Sequence, residues 1–89
     1  MKVQTVLQTN RFKKAYKKLH SNQLAEVNAA IEKIIKDPNI GEQKKGNLSW
    51  LHVYKFKVLG QLTLLGYSIK GEILTFVDVR SHENFYRDL

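Results

Sequence analysis

A chain of 89 residues, 43% hydrophobic and 26% charged, has ordinary globular values and room for one modest core, so a single domain over 1–89 is expected and disorder is not. Fifteen Lys and Arg against eight acids leave a net charge of +7, a field that draws in polyanions such as nucleic acid or an acidic protein. With no Cys and no metal-binding spacing among His20, His52 and His82, no disulfide, metal or other cofactor is called for; with no signal core or apolar span, a cytoplasmic protein without a membrane partner is expected.

Val3 to Leu7 is short and β-rich and predicts a strand. Asn10 then caps a helix to about His20, with Phe12, Tyr16 and Leu19 as its apolar stripe. Ser21 or Asn22 caps a second helix, in which Leu24, Val27, Ile31, Ile34 and Ile35 recur at helical spacing until Pro38 stops it. The short connection makes the two helices antiparallel neighbours. Residues 39–47 read as a loop. From Leu48 the apolar residues alternate, and turns at Leu59-Gly60 and Lys70-Gly71 divide the segment into strands over 48–58, 61–69 and 72–80. Ser81 to Leu89 predict one helical turn capped by Ser81. The expected fold is α+β: an N-terminal strand and a helical hairpin packed on one face of a three- to four-stranded antiparallel sheet. The other face is left open to a ligand.

Arg11, Lys13, Lys14, Lys17 and Lys18 place five cations and no acid in the first helix, and Lys44 and Lys45 are expected on the same rim. Such a surface tracks phosphates without reading sequence. The same cations also suit a plain solvated helix face, so this feature says only that a polyanion would be welcome.

Tyr54-Lys55-Phe56-Lys57 says more. Two Lys at i, i+2 on a strand project to one face, where their repulsion is unfavourable unless a phosphate sits between them. A charged, solubilising outer face is the alternative. At the end of the last strand, Arg80-Ser81-His82-Glu83-Asn84-Phe85-Tyr86 gathers a guanidinium, an imidazole and a phenol. Cleaving RNA through its own 2′-hydroxyl needs a proton acceptor, cations on the phosphorane and a donor for the leaving oxygen. Lys55, Lys57, Arg80, His82 and Tyr86 form such a kit, with an aromatic to stack a base. Equally, Phe85 and Tyr86 serve to dock the tail on the core.

In element order and in these motifs the chain resembles the RelE/ParE toxin superfamily, and within it the RelE- and YafQ-like mRNA interferases. Tyr54-Lys55-Phe56-Lys57 is similar to the family's Y-K-I-K strand, whose two Lys belong to the active site. Arg80 and Tyr86 match the spacing of the family's C-terminal Arg and Tyr. Ser81-His82 followed by Phe85-Tyr86 is similar to the T-H-x-x-L-F ending of the YafQ branch, where the His is catalytic. The resemblance implies a RelE-like fold, Lys57 as general base and Lys55 as a phosphate-charge stabiliser. It implies Arg80 as the group that neutralises the phosphorane or helps protonate the leaving oxygen, His82 as an alternative acid, and Tyr86 as the residue that stacks on or orients mRNA. One departure stands out. The family's middle strand carries a further Arg in a Y-R-L-x-Y motif, whereas Gln61-Leu62-Thr63-Leu64-Leu65 holds no cation; either transition-state stabilisation is weaker or His52 or Lys70 substitutes, and the gyrase-inhibiting ParE branch stays open.

The expectation that follows is the toxin of a type II toxin–antitoxin system, a ribosome-dependent endoribonuclease that cleaves mRNA and is silenced by an acidic antitoxin. Two alternatives stand beside it: a ParE-like inhibitor of DNA gyrase acting by binding, and a non-toxic basic nucleic-acid-binding module.

Overall fold

The computed structural model describes residues 3–87. Strand β1 (Thr5–Gln8) leads into helices α1 (Asn10–Lys17) and α2 (Ser21–Lys36). A short strand β2 (Glu42–Gln43) follows, then the long strands β3 (His52–Val58), β4 (Gln61–Lys70) and β5 (Ile73–Ser81), and one turn of helix, α3 (His82–Phe85). Asp88 and Leu89, which the sequence assigns to that last turn, lie outside the described residues.

The sheet has five strands in the order β1-β5-β4-β3-β2. It is wider than the three or four strands expected, and mixed rather than antiparallel, because β1 lies parallel to β5. β2 is two polar residues, too short to show alternation, and pairs with β3 at Glu42–Val53 and Gln43–His52. The segment 48–51, expected as the start of a strand, is instead the end of a 3₁₀ turn and a further turn at Ser49 and Trp50, so the strand begins at His52.

Thr9, not Asn10, caps α1: its hydroxyl accepts from the Phe12 N–H at 3.0 Å. His20, rather than Ser21 or Asn22, caps α2, and the Gln23 side chain reaches back to accept from the His20 N–H at 2.8 Å. Asp37 stops the helix and Pro38 opens a 3₁₀ turn. Of the stripes the spacing predicts, Phe12, Val27 and Ile34 are buried, together with Ala30, which the spacing did not include, against Val58, Leu65, Tyr67, Leu74, Phe76 and Val79 of the sheet; Tyr16, Leu19, Ile31 and Ile35 pack there partly buried. Each of the larger side chains contributes about 1.5–3 kcal/mol by leaving water.

The opposite face is not wholly open. Leu51, Val53, Leu64, Val77 and Phe85 form a second, smaller cluster there. It is roofed by α3, whose Phe85 is fully buried.

Strand β5 carries one irregularity that matters for everything beyond it. Tyr67 pairs with Phe76 but Gly66 pairs with Asp78, so Val77 is an extra residue, a β-bulge. Before the bulge Leu74 and Phe76 face the helices; after it Val79 does, and Asp78 and Arg80 take the other face. Without that extra residue the period of two would carry Arg80 into the helix-covered core. Helix α1 clamps the bulge at its N-terminus. The Thr9 N–H donates to the Phe76 carbonyl at 3.0 Å, and the Thr9 hydroxyl donates to that of Val77 at 2.7 Å.

The β3–β4 hairpin turns through Leu59 (φ 52°) and Gly60 (φ 83°). Both lie in the left-handed region that a two-residue hairpin demands, and Leu pays a steric penalty there. Leu59 is also exposed to solvent. Leu59→Asn is expected to stabilise the domain by roughly 0.5–1 kcal/mol, a rise of several degrees in thermal midpoint; an unchanged or lower midpoint counts against this account of the turn.

Candidate active site

Cross-strand register decides which side chains share a face. Lys55 pairs with Leu64 and Leu64 with Arg80, while Lys57 pairs with Leu62. Partners across a strand pair point the same way, so Lys55, Lys57 and Arg80 stand on the face away from the helical hairpin, around Leu62 and Leu64. Lys55 and Arg80 are two strand spacings apart, about 10 Å at the backbone, close enough for long side chains to reach one phosphate between them. Both lysines are exposed.

His82 begins α3 and lines a shallow pocket of about 180 Å³ with Gln61, Leu62, Ser81 and Glu83. It therefore borders the same surface at the Leu62 end. Tyr86 lies at another border. Its ring packs edge-on against Phe85, with centroids 5.0 Å apart, and the Lys44 ammonium sits 5.6 Å from its centroid. Stacking an RNA base on Tyr86 thus requires either the ring face away from Lys44 or displacement of that lysine.

Lys44 in turn donates to Glu42 at 2.8 Å. Glu42 pairs with Val53 and so rises beside Lys55 on the same face. The hydrogen bond from Lys44, followed by the charges of Lys44, Lys55 and Lys45, holds its carboxyl below the ordinary value. The Lys44 ammonium is held above its own, chiefly by Glu42 and then by Tyr86. Sequence reasoning missed Glu42 because β2 is too short to assign it a face.

Of the basic helix, Lys13, Lys14, Lys17 and Lys18 are exposed as expected, and Lys45 is exposed on its loop. Lys18 shares a pocket of about 180 Å³ with Ala15, Val79, Arg80, Ser81 and Asn84, so cationic surface runs from α1 across Arg80 towards the two lysines of β3. Arg11 departs from the expected rim. Its Nε donates to Asp78 Oδ2 at 2.8 Å, and Arg80 Nε donates to the same oxygen at 2.8 Å. The carboxylate between them is fully buried, and its other oxygen accepts the Val79 N–H at 2.9 Å. Fully buried carboxylates occur almost only where they are paired. A lone acid between Val77 and Val79 in an apolar strand was the available signal for this cluster.

Neither His52 nor Lys70, the residues considered in place of the missing middle-strand cation, stands beside Lys55 and Lys57. His52 stands on the helix side, its ring stacked on Tyr67 with centroids 5.4 Å apart, and burial holds its imidazole below the ordinary value. Lys70 lies six residues beyond Leu64, roughly 20 Å along the strand. Thr63 is turned to the helix side too, opposite Phe56, so the residue facing Lys57 across the hairpin is Leu62. Leu62 is exposed beside these cations, and Leu64 is fully buried.

The sequence profile of "ParE-like toxin of type II bacterial toxin-antitoxin system" matches residues 6–89. The chain belongs to that family. Among solved structures, a chain of the RelBE2 toxin–antitoxin complex from Mycobacterium tuberculosis is similar at 22% identity and a TM-score of 0.74, covering 92% of this chain and 94% of that one. The isolated E. coli RelE toxin is similar at 20% identity and 0.67, covering 96% and 98%. YafQ from E. coli strain BL21(DE3) is similar at 14% and 0.59, covering 93% and 99%. At these identities the likeness extends to the fold. No curated protein sequence matches significantly. In this toxin, among the described residues, no helix is long and apolar enough to cross a membrane.

The seat of α3 is narrow. A Cβ on Gly66 would lie 2.5 Å from Phe85 Cζ and 3.2 Å from Leu51 Cδ1. Gly66→Ala is therefore expected to lift Phe85 from its site at a cost of about 1–3 kcal/mol and to expose the chain after Ser81 to limited proteolysis. Unaltered cleavage and melting would show that the helix turn yields without undocking.

Proposed function

We propose that this toxin is a ribosome-dependent endoribonuclease that cleaves mRNA in the cytosol. What supports the reading is the shared face of Lys55, Lys57 and Arg80. Like charges gathered on an exposed surface are unfavourable alone, and a phosphate diester between them relieves the repulsion. In the reaction the RNA 2′-oxygen bonds to the adjacent phosphorus as the bond to the 5′-oxygen breaks, leaving a 2′,3′-cyclic phosphate and a 5′-hydroxyl. Lys57 takes the 2′-hydroxyl proton; Lys55 and Arg80 stabilise charge on the phosphorane; His82, or Arg80 itself, protonates the departing oxygen. Tyr86 orients the base beside the scissile step.

The set is sparse. Leu62 occupies the position facing Lys57, and Arg80 shares its charge with Asp78. Such a surface gains most from a partner that holds the RNA in line, the contribution assigned to the ribosome. Lys13, Lys14, Lys17, Lys18, Lys44 and Lys45 would meet ribosomal or messenger phosphates. The same basic surface suits an acidic, amphipathic antitoxin segment, whose binding would cover the site and quench its charge.

Leu62, an exposed apolar side chain opposite Lys57 where a cation would serve a nuclease, favours a second reading, in which the face docks on DNA gyrase and performs no chemistry. Primer extension in purified translation reactions separates the two. New mRNA 5′ ends are expected only when ribosomes are present. Lys57→Ala should lower their yield by about 10²–10⁴-fold, and Tyr86→Ala should lower it as well, with both variants folded. Full cleavage by both variants contradicts the nuclease reading; intact mRNA with inhibited gyrase supercoiling supports the other.

A further inference from the structure

We infer that Arg11 and Asp78 are positioning residues for Arg80: Asp78 fixes the direction of its guanidinium, and Arg11 cancels the carboxylate so that Arg80 keeps a positive charge for the phosphate. The inference rests on the proposed contact between Arg80 and RNA, and it assigns to Arg11 a role other than the phosphate contact its place in a basic helix suggests.

Three observations carry it. Asp78 is fully buried, whereas the side chains of Arg11 and Arg80 are 26% and 35% exposed, so the carboxylate is the fixed member and the guanidiniums converge on it. Both arginines reach it through Nε to the same oxygen at 2.8 Å. For Arg80, Nε is the nitrogen nearest the chain, and its bond to Asp78 leaves the two terminal nitrogens directed onward. Among the described residues those two form no hydrogen bond. Finally, Asp78 follows the bulge at Val77, and α1 holds that bulge through Thr9 as well as through Arg11. The arrangement thus ties the start of α1 to the aim of Arg80.

Charge explains why two arginines are needed. Asp78 with Arg80 alone is a neutral pair with little attraction for an anion. Arg11, Asp78 and Arg80 together carry one positive charge, and the outer guanidinium, Arg80, is the one that borders the surface of Lys55 and Lys57. Arg11→Gln should therefore weaken the site although Arg11 itself is turned inward. Asp78→Asn should also weaken it, by placing two like charges side by side and releasing Arg80. The double substitution restores a single charge beside a neutral acceptor.

The test compares single-turnover cleavage of ribosome-bound mRNA across saturating toxin concentrations, with thermal melting of each variant. Arg80→Ala sets the reference. If it cleaves at the wild-type rate, the proposed role of Arg80 fails, and the positioning inference falls with it. If Arg80→Ala is slow, Arg11→Gln is expected to be slower than wild type by roughly tenfold at saturation, from loss of one close charge. Arg11→Lys, which keeps the charge, should stay near wild type. Arg11→Gln with Asp78→Asn should recover most of the Arg11→Gln loss even if it melts at a lower temperature. A purely structural tie predicts the reverse, with losses that follow melting temperature and accumulate in the double variant. Wild-type cleavage by Arg11→Gln, or a double variant as slow as the product of the two singles, overturns the inference. Should Asp78→Asn fail to fold, the contrast of Arg11→Gln with Arg11→Lys decides alone.

Discussion

One extra residue in β5 sets the aim of the surface that the proposed chemistry uses. Val77 bulges out of register, and the alternation that put Leu74 and Phe76 under the helices passes to Val79, which frees Asp78 and Arg80 for the other face. A bulge interrupts the ladder and persists only where its surroundings hold it. Here α1 does so at three places: the Thr9 N–H, the Thr9 hydroxyl and the Arg11 guanidinium. The helix that gives the molecule much of its charge is thus also the brace for the strand that presents Arg80.

The two faces of the sheet do unlike work. On one, two helices bury a continuous apolar layer that supplies most of the stability. On the other, a small cluster under Phe85 anchors α3, and beside it the lysines of β3 remain in water. Stability and the candidate site are thereby separated across a single layer of backbone. Leu62 is exposed among the cations, whereas Leu64, between Lys55 and Arg80 in the sheet, is fully buried in the cluster with Phe85, so an apolar layer lies beneath the charged groups. A low-dielectric floor of this kind strengthens attraction between the rim and an anion resting on it.

Much of this was legible in the sequence. Period-two alternation in β3 assigned Lys55 and Lys57 to one side and Tyr54, Phe56 and Val58 to the other, and helical spacing found the stripe that begins at Phe12. Both signals are local, and burial on one side enforces them. What the sequence hid was long-range or irregular. β1 bears no mark of its parallel partner. β2 is two polar residues, so Glu42 could not be placed beside Lys55. The bulge breaks the alternation at the residue on which the face of Arg80 depends. The pairing of Arg11 with Asp78 joins residues 67 positions apart. A run of five cations in one helix suggested five equivalent contacts, yet the first of them is held inward by a buried acid. The ParE-like family profile and the RelE-like neighbours agree with the element order, which is the part of the reading that rested on most residues.

The proposed chemistry requires a single RNA segment to meet Lys55, Lys57 and Arg80 together. Side-chain amine and guanidinium NMR signals followed during titration with a short single-stranded RNA, protected from cleavage by 2′-O-methyl groups, report this residue by residue. Concerted shifts at positions 55, 57 and 80, saturating at one RNA concentration, are the predicted result. Shifts confined to the lysines of α1, with those three positions unmoved, would contradict it.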